Sequence, residues 1–154
     1  MSNFNFSSKD DLKKGNNNLK IAIIVSRWNE EITSNLYEET KNTLINFGVN
    51  ENNISKIEVP GSFELIYAAK KIGINHDVNA IITIGCIING ETPHFKYISQ
   101  SVSLGIKDLN ISLNKPVIFG VLTTNNLEEA KYRSSGKENK GKEFAISAIE
   151  MTKI

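Results

Sequence analysis

An α/β fold, with a parallel sheet between two layers of helices, is predicted by three observations. Four short runs rich in Ile, Val and Leu recur along the 154 residues, at Leu19 to Val25, Ile54 to Val59, Val78 to Ile84 and Val117 to Leu122. The segments between them space their apolar residues by three and four, the period of a helix with one buried face. Each run ends in residues that cap helices or turn the chain, such as Trp28-Asn29, Pro60-Gly61-Ser62 and Thr123-Thr124-Asn125-Asn126. Strands alternating with helices call for a parallel sheet covered on both faces.

The elements follow in order. Residues 1–18 are polar, contain lysines and end in Gly15-Asn16-Asn17-Asn18, which reads as a flexible N-terminal arm. Phe4 and Phe6 alternate there as in a strand that could add to a neighbour's sheet. Residues 19–154 then form one domain, a size that supports a full core. Glu30 to Phe47 places Ile32, Leu36, Thr40, Leu44 and Phe47 on one helical face. Phe63 to Ile72 and Phe95 to Leu113 repeat the pattern, and Phe144, Ala148 and Met151 mark a closing helix. Right-handed crossovers give a flavodoxin-like three-layer sandwich with strand order 2-1-3-4.

Composition removes several function classes. With 18 basic and 17 acidic residues the net charge is +1, so no broad field steers the chain to nucleic acid or an anionic membrane. No apolar run is long enough to span a bilayer, and the N-terminus lacks a secretory core, so a cytoplasmic protein is expected. Cys86 is the only cysteine, which excludes an internal disulfide framework and a thiolate metal cluster.

In open parallel sheets ligands bind beyond the carboxyl ends of the strands. There the scarce residues collect. Trp28, the only tryptophan, follows the first run and offers a flat face to a heteroaromatic ring; its bland role is to plug the sheet edge. Gly61 permits close backbone approach, while Glu64 either orients a polar ligand or complements a helix dipole. After the third run, Gly85 and Gly90 bracket an expected loop. Thr92 suits an N-cap and Pro93 the first helical position, which puts His94 in the opening turn, where the helix dipole favours a neutral imidazole fit for proton transfer. Cys86 reads as a small buried thiol, and Phe119 as core or interface. Arg133, one of two arginines, stands among hydroxyls, glycines and lysines from Ser134 to Lys142, a setting that suits a phosphate or a solvated basic turn. Gly136 to Lys142 imitates a P-loop but lacks the following hydroxyl and the preceding strand.

Together Arg27-Trp28-Asn29, Val59-Pro60-Gly61-Ser62-Phe63-Glu64, Gly85 to Phe95, Pro116 to Gly120, Arg133 and Asn139-Lys140-Gly141 resemble the lumazine synthase family, in its order and spacing. That resemblance implies condensation of 5-amino-6-(D-ribitylamino)uracil with 3,4-dihydroxy-2-butanone 4-phosphate, with release of phosphate and water and without cofactor or metal. It assigns Trp28 to the pyrimidine ring, Ser62, Phe63 and Glu64 to the ribityl chain, and Cys86, Ile87 and Ile88 to the pyrimidine side. Glu91 and Thr92 fall to the phosphate-bearing substrate, His94 to proton transfer and Arg133 to phosphate. Phe119 enters from a neighbouring subunit, and Lys140 lies near the anion.

The expected partners are the two small molecules, further copies of the chain as a pentamer or an icosahedral shell, and riboflavin synthase, with no nucleic acid or membrane. Asn89 departs from the family's usual Arg or Lys, Lys96 from an acid and Asn125 from Asp or Glu; the 134–140 turn is shorter than usual. A non-catalytic flavin- or lumazine-binding or shell-forming relative is the competing expectation.

Overall fold

The computed structural model describes residues 12–154. Four strands, β1 (Ile21–Ser26), β2 (Ile54–Val59), β3 (Ala80–Ile88) and β4 (Val117–Thr124), form one sheet in the order β2-β1-β3-β4. Every pairing is parallel, so all four carboxyl ends lie along one edge. The helices are α1 (Glu30–Asn46), α2 (Glu64–Asn75), α3 (His94–Ser112), α4 (Leu127–Arg133) and α5 (Gly141–Met151). The expected order 2-1-3-4 is the observed one.

Two cores flank the sheet because successive strand residues point to opposite faces. Ile21, Ile23, Val25, Ile82, Ile84 and Cys86 meet α1, α4 and α5 on one side. Ala22, Ile24, Ile81, Ile87, Val117 and Val121 meet α2 and α3 on the other. The two central strands, covered twice, are almost wholly buried, whereas β2 and β4 at the edges are partly exposed.

Two expectations at the exits need correction. The third strand does not stop at Ile84: Gly85 to Ile88 continue it, paired with Val121 to Thr124, because β4 also runs past Leu122. The loop is therefore only Asn89 to Pro93. Nor is Thr92 the cap of α3. Pro93 occupies the N-cap, its carbonyl accepting the N–H of Lys96 at 3.1 Å, and no side chain caps the helix. His94 still opens the first turn. A short helix, α4, fills the interval after the fourth run, capped by Asn126, whose side chain accepts the Glu129 N–H at 2.8 Å.

Within the span assigned to the arm, Leu12 and Asn16 are buried, and the Asn16 amide donates to the Leu12 carbonyl and, at 2.7 Å, to the Phe47 carbonyl. Phe4 and Phe6 lie outside the described residues. Among the described residues no helix is long and apolar enough to cross a membrane.

Candidate functional site

The exits of β1 and β2 run on side by side beyond the strands. The Arg27 N–H donates to the Val59 carbonyl at 2.9 Å and the Trp28 N–H to the Pro60 carbonyl at 3.2 Å. This pairing lays the indole over Gly61: a Cβ built there would sit 3.0 Å from Trp28 Cε3 and 3.0 Å from Glu64 Oε2. Any larger residue there would push the ring and the carboxylate aside by a few tenths of an ångström. Trp28 nevertheless keeps 67% of its surface exposed, so its outer face is open to a ligand.

Glu64 accepts the Gly61 N–H at 2.9 Å. Its carboxylate thus shapes the turn from the first turn of α2. Ser62 is buried, and its hydroxyl presses on Gly85, where an added Cβ would lie 2.5 Å from Ser62 Oγ. Phe63 is half exposed at the start of α2.

Asn29 supplies a link that its cap-like position does not reveal. It occupies the N-cap of α1 with φ 58, and its side chain makes no capping bond. Instead the amide donates to the Cys86 carbonyl at 2.9 Å, tying the β1 exit to the end of β3. Asparagine tolerates the left-handed conformation better than most residues, and that rarity is the sequence-level signal. Cys86 itself is buried against α1, and burial pushes its thiol from about 9.0 up to about 11. At neutral pH it is a protonated packing group and no nucleophile.

Beyond Ile88 the character changes. Asn89, Gly90, Glu91, Thr92, Pro93 and His94 are all exposed. The Asn89 N–H donates to the Thr124 carbonyl at 2.9 Å, which anchors the loop base to β4. Ile87 is buried and Ile88 half-buried.

The remaining candidates lie elsewhere. Phe119, 41% exposed, is opposite Thr83 in mid-strand on edge strand β4. Its alternation with Val117 and Val121 assigns it to the α2/α3 face. Arg133 ends α4, and Ala130 anchors that helix to the α1/α5 face. The turn after it is held by Asn139, whose amide donates to the Asn35 and Ser134 carbonyls at 3.1 and 2.8 Å. Lys140, half-buried, pairs with Glu143 at 2.6 Å. Thus one chain unites Trp28, Ser62, Phe63, Glu64 and Cys86 to Ile88, adds the His94 loop beside them, and sets Arg133 and Lys140 on the opposite face from Phe119. No hydrogen bond or ion pair among the described residues joins His94 to Arg133.

A doubly wound α/β protein with aromatic, hydroxyl and imidazole groups along its strand exits belongs to a class that handles small molecules at that edge. The profile of the 6,7-dimethyl-8-ribityllumazine synthase family matches residues 18–154. A 6,7-dimethyl-8-ribityllumazine synthase from Cytophaga hutchinsonii is 49% identical over 131 residues, covering 84% of this chain and 82% of that protein. The chain belongs to the 6,7-dimethyl-8-ribityllumazine synthase family, transferases of riboflavin biosynthesis.

Proposed function

We propose that the family's condensation takes place on the strand-exit rim, with Trp28 stacked on the pyrimidine of 5-amino-6-(D-ribitylamino)uracil. Ser62, Phe63 and Glu64 border its ribityl chain, and Cys86, Ile87 and Ile88 form the wall beside the ring. The loop bearing Glu91 and Thr92 receives 3,4-dihydroxy-2-butanone 4-phosphate. The observation that carries this reading is the indole held over Gly61 with one face open, next to an exposed histidine loop.

The chemistry suits these groups. The pyrimidine amine attacks the ketone to form an imine, phosphate is eliminated, and the ribitylamino nitrogen closes the second ring with loss of water. Each step moves protons, a task for the exposed imidazole of His94. Holding both reactants together supplies much of the acceleration, with no covalent nucleophile. The protonated thiol of Cys86 fits that division of labour.

Arg133 balances charge on the departing phosphate, with Lys140 close to the same anion. No hydrogen bond or ion pair among the described residues joins Arg133 to His94; in our reading a second copy supplies Arg133, Lys140 and Phe119, and a ring of five completes every site. Closure of such rings into an icosahedral shell, and association with riboflavin synthase, extend the same proposal. A cytoplasmic setting accords with the unbridged thiol.

The deciding experiment mixes both substrates and follows lumazine fluorescence together with phosphate release. Equal appearance of the two supports the reading; binding without turnover overturns it. Light scattering tests the ring and the shell. Arg133→Ala should raise KM for the phosphate substrate chiefly, and an equal rise for both substrates would remove its phosphate role.

A further inference from the structure

Asn89-Gly90 is the only Asn-Gly pair in the chain, and it stands in the open part of the rim. Both residues are exposed and neither belongs to a helix or strand. The Asn89 backbone is fixed by its bond to the Thr124 carbonyl, but its side-chain amide has no hydrogen-bond partner among the described residues. The Gly90 N–H likewise donates to no backbone carbonyl among them. A Cβ built on Gly90 would meet nothing within 4 Å among the described residues, so the glycine stands in open space. An exposed side-chain amide therefore adjoins a backbone nitrogen, and neither has a hydrogen-bond partner among the described residues.

We propose that Asn89 is a site of spontaneous deamidation, which converts the amide of this loop into a carboxylate. The Gly90 nitrogen loses its proton to solvent base and attacks Asn89 Cγ. The new N–Cγ bond closes a five-membered succinimide, the Cγ–Nδ2 bond breaks, and Nδ2 leaves as ammonia after taking a proton from water. Water then opens either ring carbonyl, giving Asp or isoaspartate at position 89. Water is the only other reactant, and the missing Cβ of Gly90 removes the steric hindrance that slows this closure before other residues.

The consequence rests on the proposed function: a new negative charge would enter the loop assigned to the phosphate-bearing substrate, and isoaspartate would lengthen the backbone just before Glu91 and Thr92. Both changes oppose binding of an anion there.

The test incubates the purified full-length protein at physiological temperature across mildly acidic to mildly alkaline pH. Peptide mapping by mass spectrometry, isoaspartate detection and ammonia assay follow the conversion. The expected result is acid at position 89, in step with ammonia and faster at higher pH, slowed severalfold by Gly90→Ala and abolished at that position by Asn89→Gln. An intact Asn89, over a period in which a free peptide of the same sequence converts, overturns the site. Asn89→Asp then stands in for the product: KM for the phosphate substrate should rise about three- to tenfold, with KM for the pyrimidine unchanged. Unchanged KM for both removes the consequence while the mass result stands. A wild-type enzyme without turnover removes the functional reading instead, and leaves the deamidation result untouched.

Discussion

At the ends of β1 and β2 the rim is filled: indole on Gly61, carboxylate on the Gly61 N–H, hydroxyl against Gly85, and Asn29 bonded across to Cys86. Past the end of β3 the chain from Asn89 to His94 is exposed, and among the described residues its one hydrogen bond to the sheet is the backbone bond to Thr124. In the proposed reading the first region is a preformed surface for a flat, largely neutral ring. The second presents polar and titratable side chains without hydrogen-bond partners among the described residues, which in the proposed reading leaves them open to a charged substrate and to proton exchange. Shape is built where recognition needs it, and openness is kept where chemistry needs it.

The sharpest way to break this contrast is at His94. His94→Ala should lower turnover by about 10²- to 10⁴-fold, on the order of 3 to 5 kcal/mol in barrier, while leaving the urea midpoint unchanged. Normal turnover would remove its role; a lost midpoint would show that the open region is structural after all.

On the filled side, Cys86 provides a pH test. Its folded pKa is raised, so the contribution is present in full below the unfolded value near 9.0 and is lost as pH rises through about 11. Two units correspond to about 3 kcal/mol at most. Urea titrations of wild type and Cys86→Ala at pH steps across that window should therefore converge as pH rises, and parallel curves would refute the burial account.

A smaller effect separates two glycines. Gly85→Ala forces its Cβ onto Ser62 Oγ and should destabilise by about 2 kcal/mol, whereas Gly90→Ala meets nothing and should cost less than about 0.5 kcal/mol. Equal costs, measured by denaturant unfolding, would erase the difference between the two regions.

The least effect is expected at Asn29. Asn29→Ala loses the bond to Cys86 and strains a φ of 58, a cost of about 1 kcal/mol. Asn29→Gly relieves the strain but not the lost bond. If both variants raise KM for the pyrimidine substrate, Asn29 positions the Trp28 loop; if neither does, its link serves stability alone.

Much of this was readable from residue order. The apolar runs and the helical spacing between them gave the alternation of strands and helices, and right-handed crossovers then gave the order β2-β1-β3-β4. Trp28, Ser62 and His94 were placed at strand exits by the ends of those runs, whereas Cys86 lies inside β3. The extension of β3 through Ile88 was not readable: Gly85 is a poor strand former that reads as the end of the run, and only pairing with Val121 to Thr124 carries the strand past it. The cap of α3 failed similarly, since Thr92 has a capping side chain but the backbone enters the helix one residue later, at Pro93.

By itself the sequence determined the class of fold, the edge on which scarce residues gather, and the family, because periodicity and motif order are properties of the chain alone. Tertiary structure decided which of those residues touch. Asn29 reaching Cys86, Ser62 resting on Gly85, and Arg133 standing across the sheet from Phe119 all depend on how distant segments pack, and no local rule encodes the space between them.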